Sequence, residues 1–201
     1  MDHILRQPAQ PGPGAMKRIR SWMLDLSIAK AVPDEGAGAA LDLGCGYGAE
    51  RLRALGSRLA RGVGVDYSVS DEAKRTPGLR FIEDSIESAL PGLAPEQFDL
   101  ILCVAQLERS ADPAAVLRQC HGLLAEGGRL LVDVPSWRSK LLLEFSVFGL
   151  GIRPTHEFDE IRRYYDQRAL WTMLVDAGFR PSRVSIRHRG FGTRLLALSE
   201  K

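Results

Sequence analysis

Three glycines spaced two residues apart form the stretch of the chain that is best suited to bind a ligand. An apolar run over residues 40–43 leads into Gly44, Gly46 and Gly48, and leucines then recur at spacings of three and four. This pattern predicts a buried strand, a tight turn and an amphipathic helix. Glycine lets a ligand approach the main chain closely, and the new helix presents free N–H groups and a partial positive charge. The stretch therefore predicts a site for a nucleotide-type cofactor.

An acidic residue, Asp66, ends the next apolar run, residues 62–66. It is therefore expected at the carboxyl end of a second strand, which is where open α/β sheets bind their ligands. A carboxylate at this position can accept two charge-assisted hydrogen bonds from the diol of a ribose. Tyr67 follows, and we expect its ring to lie against the adenine. The alternative is that Asp66 is an exposed loop acid or a helix cap.

Two families of cofactor-binding proteins use a turn of this kind. The dinucleotide fingerprint, G-x-G-x-x-G/A with an acid about 20 residues later, is satisfied by Gly44, Gly46, Ala49 and Asp66. The pattern acidic-x-G-x-G-x-G is filled by Asp42, Gly44, Gly46 and Gly48. This second pattern closely resembles the first motif of the class I S-adenosylmethionine-dependent methyltransferases.

The elements that follow extend this resemblance. The sequence predicts further strands, the last two of them antiparallel, over residues 78–84, 98–105, 129–135, 184–188 and 193–198. Asp112 and Pro113 predict the start of a helix, and Gly127 with Gly128 predicts its end. This order is similar to that of class I methyltransferases acting on small molecules. The resemblance implies an α/β fold with a doubly wound, mostly parallel seven-stranded sheet, the Rossmann-like methyltransferase fold of order 3-2-1-4-5-7-6.

The resemblance also implies S-adenosylmethionine as the cofactor and assigns roles to further residues. In the family, an acid at the end of the third strand receives the adenine amino group and the next backbone N–H meets the ring, which Asp84 and Ser85 match. Gln106, after the fourth strand, falls near the methionine end. The alternative for Asp84 is that it only caps the following turn. The residues expected at the cofactor are Asp42, Gly44, Gly46, Gly48, Asp66, Tyr67, Asp84, Ser85 and Gln106.

The implied chemistry is methyl transfer to a small-molecule, lipid-linked or sugar-linked acceptor, with oxygen as the expected acceptor atom. Such a displacement needs aligned reactants and excluded water but no covalent nucleophile. A hydroxyl acceptor benefits from a general base. His156 is the candidate, with Glu108 and Tyr164 as rivals and a purely structural histidine as the alternative. Relatives typically carry Leu-Glu-His after the fourth strand, whereas this chain has Leu107-Glu108-Arg109. A non-catalytic methyltransferase-like interaction module is the alternative function.

Residues 136–165 are the least regular part of the chain and are predicted to be a lid or substrate-binding insertion. Their apolar cluster, residues 141–152, is too short to span a bilayer. It could form a helix over the active site, an apolar acceptor pocket, or a peripheral contact with a membrane or partner. Beyond it, Asp166 is predicted to cap a helix that buries Leu170, Trp171, Met173, Leu174 and Ala177.

Length and composition bound the remaining possibilities. The chain has 201 residues, for which we predict a disordered arm over residues 1–14 and a single domain over residues 15–201. The net charge of +2 does not indicate nucleic acid. No pair of cysteines has metal-ligand spacing, and no metal site is predicted. The absence of a Tyr-x-x-x-Lys pair disfavours a nicotinamide-dependent reductase. Three cysteines, with no visible signal sequence or membrane-spanning run, predict reduced thiols and a cytoplasmic location.

Overall fold

The computed structural model describes residues 37–144 and 161–201, together with Leu24, Ser27, Ile28, Ala31 and Val32. The predicted arm over residues 1–14 and the candidate base His156 lie outside the described residues. The same holds for residues 145–160, which make up most of the predicted lid. The predictions made for these residues, and the prediction of a single domain, therefore stay predictions.

One mixed sheet of seven strands organises the described part of the chain. The strands are β1 (Ala37–Leu43), β2 (Leu59–Asp66), β3 (Leu79–Glu83), β4 (Phe98–Val104), β5 (Leu124–Pro135), β6 (Val184–Arg189) and β7 (Arg194–Glu200). Their order is β3-β2-β1-β4-β5-β7-β6. Strands β1 to β5 pair in parallel, and β7 runs antiparallel to both of its neighbours. The predicted fold class, strand order and antiparallel seventh strand are confirmed.

Helices cover both faces of the sheet. They are α1 (Glu50–Leu55), α2 (Asp71–Lys74), α3 (Ile86–Ala89), α4 (Pro113–Leu123), α5 (Trp137–Glu144) and α6 (Gln167–Asp176). One apolar layer joins α3, α4 and α6 to the sheet. A second joins α1 and α2 to its other face, together with Leu24, Ile28, Ala31 and Val32. Because both faces of β4 are buried, its sequence is an unbroken apolar run after Asp99.

Two helices begin at the residues that the sequence predicts. Asp112 Oδ1 accepts the backbone N–H of Ala115 at 2.9 Å, which caps α4. Asp166 Oδ1 accepts the backbone N–H of Ala169 at 2.7 Å, which caps α6. Each side chain satisfies a backbone donor that the helix itself cannot pair.

The predicted end of α4 is wrong. The helix ends at Leu123, and Gly127 and Gly128 already belong to β5. A Cβ at Gly128 would lie 2.9 Å from the carbonyl oxygen of Phe98. Gly128 is therefore needed where β5 closely approaches the start of β4, and not as a helix stop.

The predicted buried face of α6 is too wide. Leu170 and Leu174 are fully buried, but Trp171 is 39% exposed. Residues four apart share one face of a helix, whereas the next residue along the chain lies about 100° away. The face that packs on the sheet is therefore narrower than the apolar pattern suggests.

None of the described helices is both long enough and apolar enough to cross a membrane.

Candidate active site

The glycine turn joins β1 to α1 and takes the left-handed conformations that glycine favours. Gly44 has φ +71° and Gly46 has φ +80°, and Ala49 just before α1 also has a positive φ, of +49°. The backbone N–H of Gly44 donates to the carbonyl of Val65 at 2.8 Å, which holds the turn against the end of β2. A Cβ at Gly44 would overlap the side chain of Gln106. Only glycine therefore allows Gln106 to lie directly on the turn.

Asp42 lies beneath the turn, fully buried at the end of β1. Its Oδ2 is 3.0 Å from Nε of Arg51 and its Oδ1 is 3.2 Å from Nη2, and the same guanidinium also donates to the carbonyl of Gly44. Burial raises the pKa of the Asp42 carboxyl, and Arg51 partly offsets this. The side chain of Asp42 is not among those lining the cavity described below. Asp42 thus supports the turn from below, with both oxygens committed to Arg51.

Asp66 links the end of β2 to the glycine turn. Its Oδ2 accepts the backbone N–H of Gly46 at 2.8 Å, and its Oδ1 accepts the backbone N–H of Tyr67 at 2.8 Å. A carboxylate oxygen can accept more than one hydrogen bond, so both oxygens keep capacity for a ligand. Tyr67 is 78% exposed beside it. The carboxylate is therefore fixed in place and open to a diol.

Asp84 points toward the same cavity from the end of β3. Its backbone N–H donates to the carbonyl of Asp66 at 3.1 Å, and its Oδ1 accepts the N–H of Ser85 at 2.7 Å. Ser85 itself caps α3, because its Oγ accepts the N–H of Ser88 at 3.2 Å. The neighbouring Glu83 is 2.7 Å from Lys74 and does not line the cavity. Of the two adjacent acids, Asp84 is the one available to a ligand.

These residues surround a cavity of about 220 Å³ at the carboxyl ends of the parallel strands. It is lined by Gly44, Asp66, Tyr67, Asp84, Ile86, Glu87, Gln106, Arg109 and Ser110. The structure thus brings together five of the predicted cofactor residues, namely Gly44, Asp66, Tyr67, Asp84 and Gln106. Gly46 and Gly48 shape the turn and Ser85 caps α3 without lining this cavity.

A buried charge network lies beside the cavity, near the carboxyl ends of β4 and β5 and the start of β7. Glu108 is 4% exposed, and its Oε1 is 3.7 Å from Nη2 of Arg194. Its Oε2 has no hydrogen-bond partner among the described residues. Asp133 accepts hydrogen bonds from both Arg189 and Arg194. Burial raises the pKa of the Glu108 carboxyl, and Arg194 opposes this shift.

The segment after residue 160 returns to the cavity wall. The N–H of Arg162 donates to the carbonyl of Glu108 at 3.1 Å, and Arg163 donates to the carbonyl of Ser110 at 2.6 Å. The ring of Tyr164 lies 5.9 Å from that of Trp137, centroid to centroid. Of the two rival bases, Glu108 is buried beside the cavity and Tyr164 packs against α5.

The cysteine in the glycine turn is not suited to nucleophilic chemistry. Cys45 is 1% exposed, and burial, reinforced by the charges of Asp42 and Asp66, raises its pKa to about 12. Nucleophilic attack requires the thiolate. Nowhere in the described ranges do histidine, cysteine and acidic side chains group so as to hold a metal ion.

A family model described as a methyltransferase domain matches residues 16–183. The chain belongs to this methyltransferase family. This assignment agrees with S-adenosylmethionine as the expected cofactor. The sheet agrees with it, because dinucleotide-binding domains of order 3-2-1-4-5-6 lack the antiparallel strand that stands here between β5 and β6.

Two curated relatives of this chain are ubiquinone biosynthesis O-methyltransferases. The protein from Pseudomonas paraeruginosa (strain DSM 24068 / PA7) is 31% identical over 163 residues, which are 72% of this chain and 67% of the relative. The protein from Stutzerimonas stutzeri (strain A1501) is 30% identical over 137 residues, 61% of this chain and 57% of the relative. The chain therefore matches only part of the length of these relatives.

Solved methyltransferase structures share the fold at low sequence identity. An O-methyltransferase family protein from Burkholderia thailandensis is 18% identical with a TM-score of 0.66, over 93% of this chain and 57% of that one. The N-methyltransferase NodS from Bradyrhizobium japonicum WM9, in complex with S-adenosyl-L-homocysteine, is 17% identical with a TM-score of 0.60, over 93% and 88%. The CurJ carbon methyltransferase is 14% identical with a TM-score of 0.66, over 92% and 55%. One fold thus serves transfer to oxygen, nitrogen and carbon, so the fold alone does not select the acceptor atom.

Part of the cavity lining is not predictable from the motifs. Arg109 stands out in the sequence only as a departure from the family tripeptide, and no motif indicates Ile86, Glu87 or Ser110. The hydrogen bond from Ser110 Oγ to Glu87 Oε1, 2.9 Å long, connects two loops that no local pattern relates. For Ile86 and Glu87 a signal existed, because they directly follow the Asp84–Ser85 pair at the end of a predicted strand.

The residues present fit the donor. Two carboxylates, those of Asp66 and Asp84, line the cavity and are suited to accept hydrogen bonds from the hydroxyl and amino groups of an adenosine. Gln106, an amide held on the turn, lies at the opposite side of the cavity from these acids along the strand order.

Proposed function

We propose that this methyltransferase transfers a methyl group from S-adenosylmethionine to a hydroxyl oxygen of a small-molecule, lipid-linked or sugar-linked acceptor. The observation that carries the proposal is the cavity in which Asp66, Asp84 and Gln106 converge on the glycine turn. Oxygen as the acceptor atom is supported by the curated relatives, which are named O-methyltransferases.

The proposed binding follows from the donors and acceptors along the cavity. Asp66 accepts the two ribose hydroxyls while it keeps its bonds to Gly46 and Tyr67. Asp84 faces the adenine amino group, and Tyr67 lies along the ring. The N–H of Ser85, which Asp84 holds at 2.7 Å, is the donor proposed for the ring nitrogen. Gln106 and the backbone of the turn then surround the methionine end.

The protein contributes position and the exclusion of water. The bound donor supplies an activated methyl group on a sulfonium, and no protein nucleophile is required. Holding the acceptor oxygen in line with that group contributes most when water is excluded. The bonds of Arg162 and Arg163 to the loop after β4 close the wall on the acceptor side.

His156 is proposed as the general base that takes the proton of the acceptor hydroxyl. It lies in the predicted lid, and its unperturbed pKa of about 6.5 would suit this role near neutral pH. Replacing it with alanine is expected to lower kcat about a hundredfold at neutral pH without changing the affinity for S-adenosylhomocysteine. His188→Ala, which changes an exposed histidine on β6, is the control. Equal turnover by both variants would reject His156.

The proposal is tested first by calorimetric binding of S-adenosylhomocysteine. Asp66→Ala is expected to weaken binding about tenfold to a hundredfold, because a charged, bidentate contact is lost. Glu72→Ala removes an exposed acid that pairs with Arg53 on the surface and should leave binding unchanged. Failure of the wild-type protein to bind would instead support a non-catalytic interaction module.

Turnover is then measured as S-adenosylhomocysteine released with hydroxyaromatic, sugar and lipid-linked acceptors. A signal that requires both the acceptor and Asp66 supports the proposal. A peripheral membrane contact through residues 141–152 and a cytoplasmic location stay predictions from the sequence.

A further inference from the structure

A large apolar side chain protrudes from the turn between β6 and β7. Phe191 is 91% exposed, and its φ of +58° lies in the left-handed region. Gly190 and Gly192 on either side also have positive φ, of +57° and +81°. A bulky residue rarely adopts this conformation, and an exposed one gains nothing from burial. The stability of the fold therefore does not account for a phenylalanine here.

The turn that presents Phe191 is tied firmly to the end of β5. Thr193 Oγ1 donates to the carbonyl of Gly190 at 2.6 Å, and the N–H of Ser136 donates to the carbonyl of Thr193 at 2.9 Å. Ser136 Oγ also donates to the carbonyl of Gly192, and Ser136 is buried. Phe191 is thus held outward at a defined position.

A second exposed aromatic residue and two cations lie next to this turn. Trp137 directly follows Ser136 and is 52% exposed. The Nζ atom of Lys140 is 5.2 Å from the centroid of the Trp137 ring. The side chain of Arg138 packs against Gly192, because its Nη1 lies 3.0 Å from the position that a Cβ on this glycine would occupy. We call Trp137, Arg138, Lys140 and Phe191 the aromatic patch.

The aromatic patch includes Phe191, which belongs to a segment of the chain rich in basic residues. Residues 161–201 contain nine lysines and arginines and three acids, a net charge of +6, whereas the whole chain carries +2. Arg189 and Arg194 are matched by the buried Asp133 and Glu108. Arg162 and Arg163 are exposed and are bonded to the loop after β4, at the same edge of the sheet.

We propose that the aromatic patch docks onto an anionic lipid bilayer. Phe191 and Trp137 enter the headgroup region, where aromatic rings are favoured, while Arg138 and Lys140 contact lipid phosphates. A bilayer is favoured over a protein partner because a deformable surface accepts a protruding side chain, whereas a protein would need a matching pocket and a larger contact area.

This docking would bring the carboxyl edge of the sheet, and with it the donor cavity, close to the membrane. The turn at Phe191 follows the end of β6, which runs in the same direction as the parallel strands, so both features lie at one edge. A lipid-linked acceptor could then reach the site without leaving the bilayer. The docking itself rests on the exposed residues and does not depend on methyl transfer.

The test is co-sedimentation with phosphatidylcholine vesicles that contain or lack phosphatidylglycerol. We expect the wild-type protein to bind the anionic vesicles and to lose binding as salt rises. Phe191→Gly should weaken partitioning about tenfold, since one buried aromatic side chain is lost. Because glycine suits φ +58°, the same change should leave Tm unchanged or raise it. Trp137→Ala should also weaken binding, and Trp171→Ala, 39% exposed on α6, is the matched control.

Two outcomes would overturn the proposal. One is that the wild-type protein does not bind phosphatidylglycerol vesicles at low salt. If it then binds an acidic polypeptide, the partner of the aromatic patch is a protein and not a bilayer. The other is equal partitioning by the wild type and Phe191→Gly. Binding of S-adenosylhomocysteine is measured on every variant and should not change, which separates a failure of docking from a failure of the proposed methyl transfer.

Discussion

Arg51 holds both carboxylate oxygens of the fully buried Asp42, at 3.0 and 3.2 Å, directly below the glycine turn. The pair ties the first turn of α1 to the end of β1. The guanidinium also binds the carbonyl of Gly44, so the ion pair and the cofactor turn form one unit. Breaking it should therefore change both the stability of the fold and the geometry of the site.

We expect Arg51→Ala to lower the free energy of unfolding by about 3 kcal/mol, because Asp42 would be left as an uncompensated buried charge. This value is the lower end of the range of about 3–5 kcal/mol that is usual for breaking a buried ion pair, because Arg51 is itself 21% exposed. Urea unfolding measures the change. Arg53→Ala is the control, because its partner Glu72 is 75% exposed and such surface pairs contribute about 0–1 kcal/mol. Equal losses in the two variants would contradict the role given to Arg51.

The adjacent acids Glu83 and Asp84 should differ sharply in their effect on binding. Asp84→Ala is expected to weaken S-adenosylhomocysteine about tenfold, through loss of one charge-assisted hydrogen bond. Glu83→Ala removes only the contacts to Lys74 and the N–H of Val69 and should leave affinity unchanged. The affinity of both variants for S-adenosylhomocysteine is measured by calorimetry. A larger loss in Glu83→Ala would mean that the adenine end of the site is assigned to the wrong residue.

Glu108 should make stability fall as pH rises. Burial raises the pKa of its carboxyl above the ordinary value of 4.5, so the folded state retains a proton that the unfolded state releases. Above pH 4.5, therefore, the unfolded state binds fewer protons and the contribution of this group to stability decreases until the folded pKa is passed.

Glu108→Gln removes this titration. The free energy of unfolding of the wild type minus that of the variant should therefore decrease between pH 4.5 and neutrality, as followed by urea unfolding at several pH values. A difference that stays constant with pH would show that the pKa of Glu108 is not raised. Glu72→Gln, at an exposed position, should show no such trend.

The thiols should be inert in the folded protein. Cys45, Cys103 and Cys120 are all free and buried, and burial raises the pKa of Cys45 to about 12. At pH 8 we expect no reaction of the native protein with a colorimetric disulfide reagent on a scale of minutes, and reaction of all three cysteines in urea. Rapid reaction of one thiol in the native protein would show that its segment opens readily.

Much of the fold followed from local patterns. The ends of β2 and β3, and the capping of α4 and α6, were predictable because apolar periodicity and capping chemistry act over a few residues. The end of α4 was not, because Gly127 and Gly128 also suit a helix stop. The actual setting of Gly128, where β5 closely approaches Phe98, involves a strand that precedes it by about 30 residues.

In the candidate site, too, some features are predictable from the sequence and others depend on tertiary contacts. Gly44, Asp66, Tyr67, Asp84 and Gln106 all follow predicted strands, and parallel strands bring their carboxyl ends to one edge. Asp42 was expected at the cofactor as part of the same motif. Its commitment to Arg51 depends on how the first turn of α1 rotates over β1, which no motif records.

The sequence by itself determined the family, the sheet order that the family implies, and the residues at the strand ends, because glycine spacing and strand periodicity are local properties of the chain. Only the tertiary structure decided which side chains meet. It placed Arg51 on Asp42, turned Asp84 but not Glu83 toward the cavity, buried Glu108 beside Arg194, and left Phe191 exposed. These outcomes depend on contacts between segments far apart in sequence, and such contacts are fixed only when the sheet assembles.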